Sequence, residues 1–574
     1  MAMNTAQYDP QHLHGLVDMG SNGIRFSVSS LQPPTARIMP TLYQDRVGIS
    51  LYDAQYSEQG ERIPLSDQII GSVITSFKLF KQTCRDFQVP DANVRVLATE
   101  ATRTAVNSEA FMKKIKAQVG WDVTLLPKEE EGRVGAMGIA SSLPDVSGLV
   151  MDLGGGSTQL SWLIKTPGSD EVRMPDGGAV SMPYGAAAMS RRLNEAERNG
   201  STNQLKREIH ASMTEAFAKL EVPNQLEDEA RAHGGYTLYL SGGGFRGWGY
   251  VLMSRHHVQP YPIPVINGFK ASRKEFLATD DVKAAAAAVL DDPDEEAIFR
   301  VSDRRAGQVP AVAFLVNVLA EVLPQLKEVR FCQGGVREGF LLSTLSPETR
   351  NQHPLIVATQ PFDTTDSSAN IVALLRSACP SSASKSDRAA FDTVFTTSLL
   401  EAFANLLYYH SSHSKDLQVT SALRCTTSGI LASVHGIFHE SRVLLALLLC
   451  ARWGGSPPPG DEQFKRSLEL LVEAPITLWW INHLGAVAAL IASVYPAGFV
   501  KAGDRRVRFG SGWGTDDKGR SVLDLKAVFA NGVEVETYAK EVKDIEKVGK
   551  RKRWVGGRDG IGYKIVVLAE SAQR

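Results

Sequence analysis

The chain has 574 residues, with 62 Lys+Arg against 63 Asp+Glu and a formal net charge of -1. That balance excludes a chain-wide electrostatic footprint for nucleic acid. The 43% hydrophobic and 22% charged fractions exclude collagen-like, wholly disordered and small disulfide-scaffold classes, and the length is enough for three to four domains of about 150 residues each.

Taken in chain order, residues 15–30 read as strand, tight turn, strand, with Gly20 and Gly23 punctuating the turn. Leu65 to Phe87 suits an amphipathic helix, because Ile69, Ile70, Val73, Phe77 and Phe80 recur at helical spacing. A short strand at Val94–Ala98, a helix over 108–118, a strand at Val123–Leu126 and a helix over Glu129–Ser142 follow. The pattern then restarts. Gly148–Asp152 is apolar, Gly154-Gly155-Gly156 turns, and Gln159–Ile164 is strand-like. Helices are expected near 204–220, 310–325 and 337–344, with strands near 237–241 and 328–332. The two halves echo each other in their hairpins and nowhere else in sequence.

A boundary is expected at about 345–390, where 360–386 is rich in Ser, Thr, Asp and Ala. Beyond it, 388–453 and 462–495 read as helical. Ala474 to Val500 carries no Asp, Glu, Lys or Arg and is long enough to span a bilayer. Pro475, Asn482, His483, Gly485 and Pro496 interrupt it, so it reads as a buried helix and no membrane span is expected. The final part, 503–570, has strand and turn character, with a hairpin signal at Ala530-Asn531-Gly532-Val533. Gly510 to Gly514 reads as a loop. The basic run Lys547–Arg553 reads as a solvated face, with an acidic-partner or nuclear-import role as the alternative.

The five cysteines are widely spaced with no CxxC pair, which fits free thiols in a reducing compartment. Residues 1–15 lack the basic start and apolar stretch of a signal peptide, and the expectation is a cytoplasmic protein. His435 and His439 are placed four apart on an expected helix and read as a packed or capping pair rather than metal ligands. His256-His257 falls in a loop and is not read as a ligand pair.

Two segments carry chemistry. Asp18-Met19-Gly20-Ser21-Asn22-Gly23-Ile24-Arg25 and Asp152-Leu153-Gly154-Gly155-Gly156-Ser157-Thr158 each follow an apolar strand. Glycine turns let backbone N–H groups approach phosphate oxygens. Ser21, Asn22, Ser157 and Thr158 add donors, and Arg25 can make charge-assisted bonds to phosphate. An Asp at each strand end can hold Mg²⁺, which favours a few carboxylates plus substrate phosphates.

These segments resemble the two phosphate loops of the actin/Hsp70/sugar-kinase superfamily, and in detail those of the exopolyphosphatase/guanosine-pentaphosphate phosphohydrolase (Ppx/GppA) family. Ala98-Thr99-Glu100-Ala101-Thr102-Arg103, Glu130-Glu131-Gly132-Arg133, Ser181-Met182-Pro183-Tyr184-Gly185-Ala186, Ser241-Gly242-Gly243-Gly244-Phe245-Arg246 and Gly335-Val336-Arg337-Glu338-Gly339 resemble further family segments in the same order. The resemblance spans about 14–345. It implies an α/β fold of two actin-like (RNase H-like) lobes around a cleft, 1–145 and 146–345. A helical C-terminal domain, 346–500, and a strand-rich end, 501–574, follow. It implies Glu131 as the catalytic base, Asp18 and Asp152 as Mg²⁺ ligands, and Arg103 beside Arg25, Gly20, Gly154, Gly155 and Gly156 in the phosphate site. Without the resemblance, Glu129-Glu130-Glu131 reads as an acidic helix start.

One residue departs from the pattern. The family's second loop ends in Glu, expected to help hold the metal, and this chain has Gln159. Gln offers a carbonyl but no charge. Phosphate binding is expected and turnover is left open. The length and extra C-terminal region resemble a fungal branch whose members relay mitochondrial status to transcription. Two functions therefore stand: a phosphate- or nucleotide-binding regulator with protein partners, or a Mg²⁺-dependent hydrolase of polyphosphate or guanosine penta/tetraphosphate. No direct nucleic-acid partner is expected, and a homodimer is one oligomeric option.

Overall fold

The structure is a computed structural model describing residues 8–57, 60–166, 171–292, 297–363, 365–380, 391–503 and 505–572. Part of the chain start and of the linker-like stretch, 1–7 and 381–390, lie outside the described residues. The chain forms two compact units, one of 1–257, 265–354 and 435–438, the other of 258–264, 355–434 and 439–574.

The first unit holds two sheets of shared design. The first contains β1 (Leu13–Gly20), β2 (Gly23–Ser30), β3 (Thr41–Val47), β4 (Val94–Ala98) and β5 (Val123–Leu125), in the order β3-β2-β1-β4-β5. The second contains β6 (Val146–Leu153), β7 (Thr158–Lys165), β8 (Val180–Met182), β9 (Tyr236–Ser241), β10 (Lys270–Ser272) and β11 (Leu326–Phe331), in the order β10-β11-β9-β6-β7-β8. Dropping β10, the second order reads β8-β7-β6-β9-β11, which repeats the first. In both, the first three strands are antiparallel and the next two join in parallel. The echo seen in the hairpins extends to whole sheets. Strands β1 and β6 read as nearly continuous apolar runs because both faces are covered: Leu16, Val17, Leu149 and Met151 are fully buried.

The helix Asp67–Asp86 starts on a Ser66 cap, whose Oγ accepts from Ile69 N at 3.3 Å. Its Val73, Phe77 and Phe80 pack on Phe26 of β2. The helix Lys128–Ser142 is more constrained. Its acidic first turn, Glu129–Glu131, suits the positive end of the helix dipole. At its other end buried cations collect the loose carbonyls. Lys165 Nζ donates to Ala140, Leu143 and Pro144 O at 3.3, 3.2 and 2.9 Å, and Arg37 reaches Ser141 and Leu143 O at 3.4 and 3.3 Å. Alongside lies the helix Val336–Thr344. The two approach without side chains between them: a Cβ on Gly138 would strike Gly335, and one on Gly339 would strike the Val134 carbonyl.

The helix expected near 310–325 runs from Asp303 to Val322, through Pro310. The earlier start brings Arg304 and Arg305 into its first turn. In the second unit, Pro475–Val494 is one helix with Trp479, Leu484, Val487, Leu490 and Ile491 fully buried. It and Asp303–Val322 are the two helices among the described residues long and apolar enough to cross a membrane, and 61% of the apolar window of Pro475–Val494 is buried within the protein.

Three expectations are corrected here. Gly510–Gly514 is not a loop but part of β12 (Val507–Thr515), where Phe509 and Trp513 alternate with the glycines. The Ala530–Val533 turn does not make a hairpin. It leaves β13 (Ser521–Phe529) for the helix Ala539–Val548, and β14 (Lys564–Ser571) returns parallel to β13. His435 and His439 do not share a helix, since Gly436 takes φ 92° and the helix begins at His439. His435 Nε2 instead meets Ser141 Oγ at 2.8 Å, and His439 Nδ1 meets Tyr261 Oη at 2.7 Å.

Candidate functional site

The two glycine hairpins meet across a cavity of about 160 Å³ in the first unit. Gly20, Ser21 and Asn22 line it from the first sheet, and Gly154, Gly155 and Ser157 from the second. A Cβ on Gly155 would lie 2.7 Å from the Asn22 amide, so only glycine permits this approach. The second loop is fixed from behind. Gly185 N donates to Gly156 O at 3.0 Å, Ala186 N to Gly154 O at 2.9 Å and Ala187 N to Gly155 O at 2.9 Å.

The repeated topology puts Asp18 and Asp152 at matching places. Asp18 faces Arg25 across β1–β2, and Asp152 faces Gln159 across β6–β7. Arg25 Nη1 lies 3.6 Å from Asp18 Oδ2. Burial nevertheless pushes the Asp18 carboxyl upward, with Arg25 and Arg337 opposing and Glu338 and Asp152 adding to the rise. Asp152 Oδ2 accepts from Ser241 Oγ at 2.7 Å. Gln159 is buried, its amide donating to Ser157 Oγ at 2.9 Å and Ser181 Oγ at 3.4 Å. Asp18, Asp152, Glu131 and Gln159 thus bring oxygen donors to one cavity. That set fits a hard divalent cation such as Mg²⁺.

Glu131 sits on the cavity wall in the first turn of its helix. Arg103 grips it with two nitrogens, each 3.1 Å from Oε2, and its Nη1 also donates to Leu126 O at 2.5 Å. Burial pushes the Glu131 carboxyl up to about 7; Arg103 opposes the rise, while Glu100 and Asp152 add to it. A carboxyl near neutrality is matched to proton abstraction from water at physiological pH.

Five arginines line the same cavity: Arg25, Arg46, Arg246, Arg304 and Arg305. They crowd one another. Burial, then repulsion from Arg25 and Arg305, lowers Arg246 to about 9. Arg305 is lowered by burial and then by Arg46 and Arg25, and Arg46 by burial and then by Arg25 and Arg304. Arg304 reaches across the cleft to Asn22 Oδ1 at 2.8 Å, Ser50 Oγ at 3.0 Å and Asp53 Oδ2 at 2.9 Å. Asp18 beside Arg25, Asp53 beside Arg304, and Glu338 and Asp152 near Arg246 offset part of this crowding, and a polyanion among the arginines would offset more.

Of the residues picked from the sequence, Asp18, Gly20, Ser21, Asn22, Arg25, Glu131, Asp152, Gly154, Gly155 and Ser157 line the cavity. Arg103, Gly156 and Thr158 do not. Arg103 is spent on Glu131, Gly156 packs against Glu100, and Thr158 Oγ1 braces the hairpin by donating to Asp152 O at 2.8 Å. Sequence reading missed Arg46, Arg246, Arg304 and Arg305 as site residues. Arg246 had a signal, the third glycine turn after a strand that it follows; the others had none. Elsewhere, the His256 and His257 rings lie 4.2 Å apart, tilted by 34°, and share with Glu275 a cluster whose ligand atoms lie within 4.8 Å of one another, with Glu275 already accepting from Ser272.

Residues 30–348 match the Ppx/GppA phosphatase family, and residues 353–572 match the RTG2 C-terminal domain. The chain belongs to the Ppx/GppA phosphatase family. It is 39% identical over 500 residues to retrograde regulation protein 2 of Saccharomyces cerevisiae, covering 86% of this chain and 82% of that protein. The guanosine-5'-triphosphate,3'-diphosphate pyrophosphatase of Photobacterium profundum is 32% identical over 149 residues, 26% of this chain and 28% of that protein. Among solved structures, the Ppx/GppA family member of Aquifex aeolicus matches 58% of this chain and 96% of its own at 22% identity and a TM-score of 0.43. An exopolyphosphatase of Cytophaga hutchinsonii matches 58% and 97% at 17% identity and a TM-score of 0.43.

Proposed function

We propose that this chain is a phosphate- or nucleotide-binding regulator built on a phosphoanhydride-hydrolase fold, acting in retrograde signalling from mitochondrion to nucleus and placed in the cytoplasm. The observation that carries the binding half is the set of five arginines converging on one glycine-walled cavity with Asp18, Asp152 and Glu131. A ligand with several phosphates relieves the crowding of Arg25, Arg246 and Arg305. Support for the signalling half is the identity shared along most of the chain with a protein named for retrograde regulation. Lobes 1–145 and 146–345 supply the site, and the regions 346–500 and 501–574 supply surface for regulatory partners.

In this reading the backbone N–H groups of Ser21, Asn22, Gly155 and Ser157 cradle phosphate oxygens, and the arginines bind the distal anionic groups. Asp18 and Asp152 would hold Mg²⁺, which when bound would supply charge neutralisation to the phosphoryl oxygens. Glu131, near neutrality, takes a proton from a water directed at the terminal phosphorus, and Arg103 fixes its orientation. The second reading, an active hydrolase of polyphosphate or guanosine penta/tetraphosphate, is favoured by Glu131 with Asp18, Asp152 and the two glycine loops on the same cavity. Gln159 opposite Asp152 favours the slow regulator.

Calorimetry of the purified chain with polyphosphate, guanosine tetraphosphate and ATP, with and without Mg²⁺, tests the binding. Phosphate release in the same mixtures tests turnover. Binding of a polyanion with little phosphate release is the expected result. Absence of binding by all three ligands overturns the proposal.

A further inference from the structure

The second unit ends in a three-stranded sheet ordered β12-β13-β14, so β14 is an edge. Its ladder with β13 runs without a register shift from Val522↔Lys564 to Phe529↔Ser571. On the other side it offers alternate N–H and C=O groups. Edges of this kind are normally blunted by proline, a bulge or inward charge, because they accept further strands. β14 has neither proline nor bulge, and its charged residues, Lys564 and Glu570, stand at its two ends. Its outward residues include Val566 and Leu568, 43% and 54% exposed. With Ile561, 48% exposed, they are three of the eleven large apolar side chains exposed among the described residues.

Beside the start of β14 lies a groove of about 450 Å³, lined by Trp554, Ile565 and Val566 and by Lys550, Arg551 and Lys564. Its carboxylates are Asp516, which Arg520 holds at 2.5 Å, and Glu546. Lys550 to Arg553 continues the basic surface as an exposed turn. Among the described residues, none of Lys550, Arg551, Lys552, Arg553 and Lys564 makes an ion pair within the chain. Cations without an ion pair, Arg551 among them lying 5.3 Å from the centre of the Trp554 ring, beside an apolar open edge define the complement: an extended chain with alternating apolar side chains and an acidic end.

We propose that β14 and the Lys550–Arg553 turn form a docking site for an extended acidic segment of a partner protein, which adds to the sheet as a fourth strand. Main-chain hydrogen bonds to the edge supply affinity that tolerates sequence variation, Val566 and Leu568 receive the segment's apolar side chains, and the cations select its charge. The run that sequence reading left between a solvated face and an acidic-partner role takes the second.

The test uses the full chain and a fluorescein-labelled octapeptide alternating Glu and Val, read by anisotropy. Controls are the same peptide with Lys for Glu, and an oligothymidine. The Glu peptide should bind. Lys550→Glu with Arg551→Glu, and separately Val566→Lys with Leu568→Lys, should each weaken it at least tenfold, and all four positions are exposed enough to leave the melting temperature unchanged. Bound peptide should slow amide exchange over 565–570. Equal binding of the Lys peptide overturns the proposal, as does tighter binding of oligothymidine. Self-association of the wild-type chain, lost in Val566→Lys with Leu568→Lys, assigns the edge to a second copy and overturns it too.

Discussion

Gln159→Glu reports directly on the metal side of the site. Gln159 and Asp152 are cross-strand partners in β6–β7, a relation that places Cβ atoms about 5 Å apart. A second carboxylate there meets Asp152 across about 5 Å, worth about 3 kcal/mol of repulsion at an effective dielectric constant of about 20. The variant also loses the two amide donations to Ser157 and Ser181, although both hydroxyls can turn to donate. Without a divalent cation it should therefore be less stable than the parent by about 1–3 kcal/mol at pH 8, or about 1–4 °C in melting temperature. The loss should fade toward pH 4, where the introduced carboxyl takes up a proton. Mg²⁺ at a hundred times its dissociation constant returns about 2.7 kcal/mol. Thermal unfolding with and without Mg²⁺ reads this without any enzyme assay, and phosphate release measures whether turnover rises with it. A variant whose melting temperature ignores Mg²⁺ and whose rate equals the parent's would refute the reasoning.

The remaining predictions test other walls of the cavity. Glu131 in the folded chain holds a proton between the ordinary carboxyl range and about 7 that the unfolded chain releases. Stability should therefore fall as pH rises through that window, by at most about 3 kcal/mol, and Glu131→Gln should flatten the slope. Any phosphate release should climb about tenfold per unit below pH 7 and level above it. Arg103→Ala should move that inflection upward, because Arg103 is the group holding the carboxyl down. Arg246→Ala should weaken polyphosphate binding at least tenfold by calorimetry while leaving the ligand-free melting temperature equal or higher, since it removes a buried cation pressed against others. Gly339→Ala should cost about 1–3 kcal/mol in thermal unfolding, because its methyl strikes the Val134 carbonyl.

The hairpins were legible because several constraints fall on few consecutive residues. An apolar strand, a terminal Asp and a glycine turn leave a compact trace, and Gln159 stands out against it. The arginines of the far wall were not legible in this way. Arg46, Arg304 and Arg305 come from a strand end and a helix start remote from the hairpins, and only folding gathers them. The sheet repeat was hidden for a related reason: strand order is conserved where side chains need only be apolar, so nothing obliges the sequences to match. At the C-terminal end, local turn chemistry at Ala530–Val533 was read properly as a turn and wrongly as a hairpin. The deciding information lay in the helix Ala539–Val548, which carries the chain over to a parallel return. Gly510–Gly514 misled because glycine disfavours strands, yet β13 supplies a complete ladder for it.

The glycine contact between the helices Lys128–Ser142 and Val336–Thr344 has a mechanical consequence. Main chain rests on main chain there, at Gly138 against Gly335 and Gly339 against Val134, with Met137, Ala140, Leu341 and Leu342 sharing one apolar cluster around it, so the crossing point itself holds no side chains that must be unmeshed before one helix turns on the other. Such a crossing behaves as a bearing: it resists separation but offers little resistance to rotation. Glu131 sits one turn from that bearing, on the wall of the cavity that the phosphate loops also line. A rotation of one sheet against the other about this crossing would leave the carboxylate close to the axis. A ligand can then be gripped or released at its anionic ends without disturbing the register of Glu131.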